Sequence, residues 1–210
     1  MPSFALPLAL LIAAYLIGSL SFAVIVSRAL KMADPRSYGS GNPGATNVLR
    51  SGKKLAAILT LAGDTLKAVV IVLVAKSLGV AEPWLAGIAI AVTVGHMWPV
   101  FFGFQGGKGV ATAAGVLLCI DWRLGLITLA VWLAIAFSTR ISSLAALIAA
   151  VSAPITCRLL LPGHDALFGA VIIIAALLIQ RHKQNLLNLI AGNEGRIGQK
   201  AKPEKNSRAS

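Results

Sequence analysis

Leu55-Ala-Ala-Ile-Leu-Thr-Leu-Ala-Gly-Asp-Thr-Leu-Lys-Ala-Val-Val-Ile-Val-Leu-Val-Ala-Lys-Ser-Leu78 decides the fold. Crossing ~30 Å of bilayer hydrocarbon takes a helix of about 20 residues; these 24 carry charge at Asp64, Lys67 and Lys76 alone. Outward from it, the same character recurs over Phe4 to Val26, Trp84 to Val100, Gly109 to Ile120, Leu124 to Phe137, Leu144 to Leu161 and Ala166 to Ile179. Over all 210 residues, 57% are hydrophobic and 12% charged, an apolar excess that a soluble domain of this length has no use for. The reading is an all-α integral membrane protein with about seven transmembrane helices. Gly109 to Ile120 and Leu124 to Phe137 fall short of a full crossing, so a five-span arrangement that merges some segments stays open.

Three polar regions separate these segments, at residues 31–54, 102–109 and 180–210, and an even number of spans between them puts all three on one face. Lys and Arg gather there: Arg28, Lys31, Arg36, Arg50, Lys53 and Lys54 flank the first, and Arg181, Lys183, Arg196, Lys200, Lys202, Lys205 and Arg208 follow the last segment. Only Lys76, Arg123 and Arg158 fall on the opposite side. The positive-inside rule then predicts the polar loops and C-terminus in the cytoplasm and the N-terminus outside. The basic excess, 19 Lys+Arg against 7 Asp+Glu, thus reads as anchoring to anionic headgroups; nucleic acid is not the expected partner. The first segment has no basic residue before it and charge after it, as a retained helix does and a cleaved signal does not. Residues 1–198 read as a single polytopic domain and 199–210 as a polar, lysine-rich disordered tail. Cys119 and Cys157 lie singly in apolar runs, with neither disulfide-framework nor metal-ligand spacing, so no metal is expected.

The chemistry is expected in the loops. Gly39-Ser-Gly-Asn-Pro-Gly-Ala-Thr-Asn-Val-Leu-Arg50 matches a dinucleotide fingerprint in letters only, because no strand is available to precede it. Asn-Pro-Gly is sufficient for a turn between helices, but a mere turn leaves Ser40, Asn42, Thr46, Asn47 and Arg50 unexplained. Gly103-Phe-Gln-Gly-Gly-Lys-Gly109 falls one residue short of a P-loop and has glycine where a magnesium-binding hydroxyl belongs, yet glycines, Lys108 and a following helix N-terminus suit an anion. Arg50 and Lys108 beside glycine amides point to phosphate. His96 is expected to cap a helix or orient the second loop. Asp64 and Lys67, three apart inside an apolar helix, pair with each other or brace Arg50 or Lys108. Arg181-His182-Lys-Gln-Asn185 ends the last segment, with His182 and Asn185 on one helix face and Gly192-Asn-Glu194 beyond.

Gly39-Ser-Gly-Asn-x-Gly-x-Thr-Asn-Val-x-Arg50, Gly95-His-Met-x-Pro-Val-Phe-Phe-Gly-Phe-x-Gly-Gly-Lys-Gly-Val-Ala-Thr112 and Arg181-His-x-x-Asn185 together resemble the blocks of the bacterial acyl-phosphate:glycerol-3-phosphate acyltransferases. The resemblance covers nearly the whole chain. It implies a seven-helix inner-membrane enzyme of phospholipid synthesis that moves a fatty acyl group from acyl phosphate to glycerol 3-phosphate, giving lysophosphatidic acid and phosphate, with no metal, coenzyme A or other cofactor. It places Arg50, Lys108, His182 and Asn185 in catalysis, and Ser40, Gly41, Asn42, Gly44, Thr46, Asn47, Gly106, Gly107, Gly109 and Thr112 around the substrate phosphate. Gln105 departs from the family, which commonly has lysine there. The proton acceptor is left open between His182 and a substrate phosphate. A transporter would need a midplane site and repeats, and a scaffold has no need of donor-rich loops. The other common route of glycerolipid acylation uses His-x-x-x-x-Asp, and none of His96, His164 and His182 has Asp five residues on.

Overall fold

The structure is a computed structural model that describes residues 4–199, so the expected tail lies outside the described residues apart from Gln199. Each predicted apolar segment is helical, and no strand occurs among the described residues. The helices are α1 (Ala5–Gly18), α2 (Phe22–Ala29), α3 (Ala45–Leu49), α4 (Lys54–Ser77), α5 (Glu82–Met97), α6 (Val110–Ile120), α7 (Trp122–Thr139), α8 (Ser142–Leu160), α9 (Asp165–Arg181) and α10 (Lys183–Ile190), with a 3-10 turn at Val100–Phe102.

About seven helices, some of them short, are expected, and the described residues contain that number when each bent pair is taken as one and the short α6 is included. Four stretches, Lys54–Ser77, Glu82–Phe102, Trp122–Thr139 and Ser142–Leu160, are long and apolar enough to cross a membrane, and the bent pairs α1–α2 (47°) and α9–α10 (56°) bring the count to six. α6 is the exception. Its 11 residues extend about 16 Å, half a hydrocarbon core. Thr112, in its first turn, donates to the carbonyl of Asp64, ten residues into α4 and so about 15 Å below the start of that helix. At its other end Lys76 Nζ, in the last turn of α4, donates to the carbonyls of Cys119 (2.8 Å) and Ile120 (3.4 Å), closing the orphan C-terminal groups of α6. α6 therefore runs parallel to the far half of α4, and the glycine-rich segment before it sinks halfway into the bundle. Merging α6 with α7 fails because Asp121 caps α7, accepting from the backbone N–H groups of Arg123 and Leu124.

The first segment, read as one helix, breaks at Ser19–Ser21. Ser19 Oγ turns back onto the carbonyl of Tyr15 (2.9 Å) and Ser21 is extended, which ends the helical ladder and frees the carbonyl of Leu20. Lys67 Nζ reaches that carbonyl across 2.7 Å, so the break is satisfied inside protein, as hydrocarbon surroundings require. α1 and α5 lie side by side at backbone distance: a Cβ at Gly18 would run into the carbonyl of Val92, and one at Gly95 into that of Tyr15. Small residues permit this approach where lipid supplies no hydrophobic drive. It fixes the end of α5, and with it His96, over the site.

Candidate active site

The first glycine-rich loop is built on one buried side chain. Asn47 Oδ1 accepts from the N–H of Ser40 (2.9 Å), and its Nδ2 donates to the carbonyls of Pro35 (2.7 Å) and Tyr38 (3.1 Å). With both amide hydrogens engaged, Asn47 holds the loop and is not free to bind phosphate as expected. Gly41 and Gly44 also turn their N–H groups inward, to the carbonyls of Tyr38 and Asn42. Arg36, clasped to Asp34, reaches the carbonyl of Phe102 (3.4 Å) and joins this loop to the second. Ser40 and Asn42 stand at the rim, the Ser40 hydroxyl without a partner among the described residues, and Thr46 sits half-buried in α3.

The second loop is pinned from two sides. The N–H of Gly107 donates to the carbonyl of His96 (3.1 Å), so this amide too is occupied within the protein. The Arg181 guanidinium donates to the carbonyls of Gly106 (2.8 Å) and Gly107 (3.3 Å) while lying over the Trp98 ring. Gly109, at φ +88°, launches α6, whose first-turn N–H groups have no intrahelical acceptor and present the positive end of the helix to the site. Thr112 again departs from expectation: fully buried, its hydroxyl is occupied by the Asp64 carbonyl, which packs α6 on α4.

The third region closes over these loops. Lys108 Nζ donates to Asn185 Oδ1 (2.6 Å), and Asn185 Nδ2 donates to Glu194 Oε1 (2.7 Å), which also accepts from Ser143 Oγ (2.8 Å). Asn185 thus bridges a cation and an anion, and its amide can point only one way. Burial pushes Lys108 down to about 8; the carboxylate of Glu194 opposes that shift, and Arg50 and Arg181 reinforce it. Arg50, at the C-terminus of α3, lays its guanidinium against Gly195 and has no carboxylate partner among the described residues. His182 donates from Nδ1 to the carbonyl of Leu178 (2.8 Å), leaving Nε2 as the acceptor. Three cations, Arg50, Lys108 and Arg181, face one carboxylate, Glu194, so the cluster is built for anions.

Comparison with known proteins agrees with this geometry. A family model described as glycerol-3-phosphate acyltransferase matches residues 8–192. The chain belongs to the glycerol-3-phosphate acyltransferase family. Curated glycerol-3-phosphate acyltransferases of Chromobacterium violaceum (59% identity, covering 91% of this chain and 95% of the relative) and Neisseria meningitidis serogroup C (56%, 89% and 94%) are similar throughout. Among solved structures, PlsY, an integral membrane glycerol 3-phosphate acyltransferase, superposes in its glycerol 3-phosphate form with TM-score 0.86 at 41% identity, over 91% of this chain and 96% of that one. Its lysophosphatidic acid form superposes with TM-score 0.84 at 40% identity, covering 92% and 96%.

Within this acyltransferase the structure brings together Arg50, Lys108, His182 and Asn185, as well as residues whose part was missed. Arg181 reads in sequence as a basic helix end, yet it grips the second loop; its place next to His182 was the available signal. Glu194 was visible only as a polar residue after the last motif. Ser143 had no signal at all, since one serine at the start of an apolar helix looks like any other.

Proposed function

We propose that this glycerol-3-phosphate acyltransferase takes its acyl group from acyl phosphate, and that residues 1–198 form the one catalytic domain. The observation that carries the reading is the meeting of Arg50, Lys108, Asn185 and His182 Nε2 at one end of the bundle. Acyl phosphate is already activated, so the main task is to hold two anions together against their repulsion, by position and charge. Arg50 offers a two-pronged grip on a phosphate and Lys108 a point charge. The glycerol 3-phosphate hydroxyl oxygen attacks the acyl carbon, the acyl–phosphate bond breaks, and the phosphate leaves with the electron pair. Nε2 of His182, unprotonated because Nδ1 holds the ring proton, and the leaving phosphate are the two acceptors for the hydroxyl proton. Ser40, Asn42, Thr46 and the remaining loop amides line the phosphate side, while Asn47, Gly107 and Thr112 act by shaping the loops. The absence of a His-x-x-x-x-Asp pair supports acyl phosphate over a thioester donor. The basic loops support a cytoplasmic site in the bacterial inner membrane.

Purified protein given labelled glycerol 3-phosphate should form lysophosphatidic acid with acyl phosphate and not with acyl-coenzyme A. Equal rates with both donors would refute the donor assignment.

A further inference from the structure

We propose that His96 is a positioning residue of this site: as the neutral tautomer protonated on Nε2, it fixes Gly107 between the two glycine-rich loops and so sets where Lys108 lies. This rests on the reading of the site just given. The starting point is a buried ammonium. Lys67 Nζ lies 2.7 Å from the Leu20 carbonyl, 3.0 Å from Asp64 Oδ1 and 2.9 Å from His96 Nδ1. Asp64 Oδ1 also lies 3.4 Å from Nδ1, but the ammonium is closer, and with three N–H donors and no acceptor it is filled by its three partners when Nδ1 accepts with its lone pair. The one ring proton of a neutral imidazole then belongs to Nε2.

That nitrogen faces the site. A Cβ at Gly107 would run into His96 Nε2, come within 2.8 Å of Cε1 and within 3.1 Å of the Pro43 carbonyl. The glycine therefore lies flat between the imidazole and the first loop, and its own N–H is held by the backbone carbonyl of His96. One residue thus meets Gly107 twice, its ring packing against the glycine and its backbone carbonyl accepting from the Gly107 N–H, while Arg181 takes the carbonyl on the other side. Lys108 leaves this fixed peptide with its ammonium on Asn185. Pairing of Asp64 with Lys67 accounts for two buried ions, but not for a histidine wedged between them and the loop. His96 touches no substrate and acts through Gly107 and Lys108.

Two substitutions separate the parts of the ring. His96→Asn keeps an acceptor near the Nδ1 position for Lys67 and leaves the space beside Gly107 empty; His96→Gln extends an amide into the Nε2 position and fills it. The expected result is a KM for glycerol 3-phosphate raised about tenfold in His96→Asn, a smaller change in kcat, a melting temperature close to wild type, and recovery of most of the loss in His96→Gln. Equal defects in both variants, or a lower melting temperature with KM unchanged, would overturn the proposal. Independently, long-range nitrogen–proton spectra of solubilised wild type with labelled histidine, assigned through His164→Gln and His182→Asn, should show His96 protonated on Nε2 and His182 protonated on Nδ1. An Nδ1-protonated or doubly protonated His96 overturns the proposal even if both variants fail to fold. A wild type inactive with acyl phosphate would sink the assigned reaction and leave that spectrum to decide on His96.

Discussion

Lys108 sets the response of the site to pH. Its ammonium, held down to about 8 by burial, is charged below that value and lost as pH rises through it in the substrate-free enzyme. Because kcat/KM reports the free enzyme, it should fall above pH ~8, and Lys108→Arg should carry the falling limb out of range, since a guanidinium keeps its proton to above ~12. A wild-type profile that stays level well past pH 8 would remove Lys108 from substrate contact. At fixed pH, Arg50→Ala and Lys108→Ala should each cost roughly 1.5 to 3 kcal/mol of phosphate binding, with further loss in turnover, while the protein still inserts and folds. Near-normal kinetics in either variant would make that residue an interfacial anchor. Gln105, exposed beside the loop, lies outside the grip of His96 and Arg181. Gln105→Lys should therefore lower KM only through long-range attraction, a gain that fades with salt because exposed charges are screened over ~8 Å, and kcat should hardly change. Collapse of turnover in Gln105→Ala would show a specific bond instead.

At the scale of elements, α6 and the loop before it behave as one piece. Lys76 holds the far end of α6 and has no part in the site, so Lys76→Met should lower the melting temperature, through the freed Cys119 and Ile120 carbonyls, and leave KM unchanged. A changed KM would mean that strain at the far end reaches the loop. Helix positions were legible in the sequence because unbroken apolar length is a local property. The half-length of α6 was legible as well, but its meaning was not: only the contact of Thr112 with Asp64 shows that the preceding loop makes up the missing depth. The break at Ser19–Ser21 was hidden for a similar reason, since its free carbonyl is satisfied by Lys67, 47 residues away. In the loops, residue type revealed donors but not direction. Asn47 and Thr112 look like ligands in sequence, yet their hydrogens are taken by carbonyls, those of Pro35 and Tyr38 within the same loop for Asn47 and that of Asp64 in α4 for Thr112.

Over the whole molecule, one end collects the three loop regions and the opposite end holds the pairs His164–Glu82, Arg123–Asp121 and Arg158–Asp165. Parity in the sequence anticipated this division, since even numbers of helices separate the loops. Single cysteines at Ser37, Gln105 and Asn188, in a background lacking Cys119 and Cys157, should escape impermeant thiol reagents in intact cells and react once the cytoplasmic face is opened. Labelling of any one from outside would contradict a shared cytoplasmic site.

The sunken loop has a consequence for the lipid substrate. Carrying a saturated sixteen-carbon tail out of the bilayer to meet a water-soluble partner would cost roughly 0.8 kcal/mol per methylene, on the order of 12 kcal/mol in all, or about nine powers of ten in rate. A phosphate cradle lowered partway towards the midplane inverts the traffic. The small, soluble glycerol 3-phosphate descends to the reaction, the long tail stays dissolved in its neighbours, and lengthening that tail adds nothing to the work of reaching the transition state.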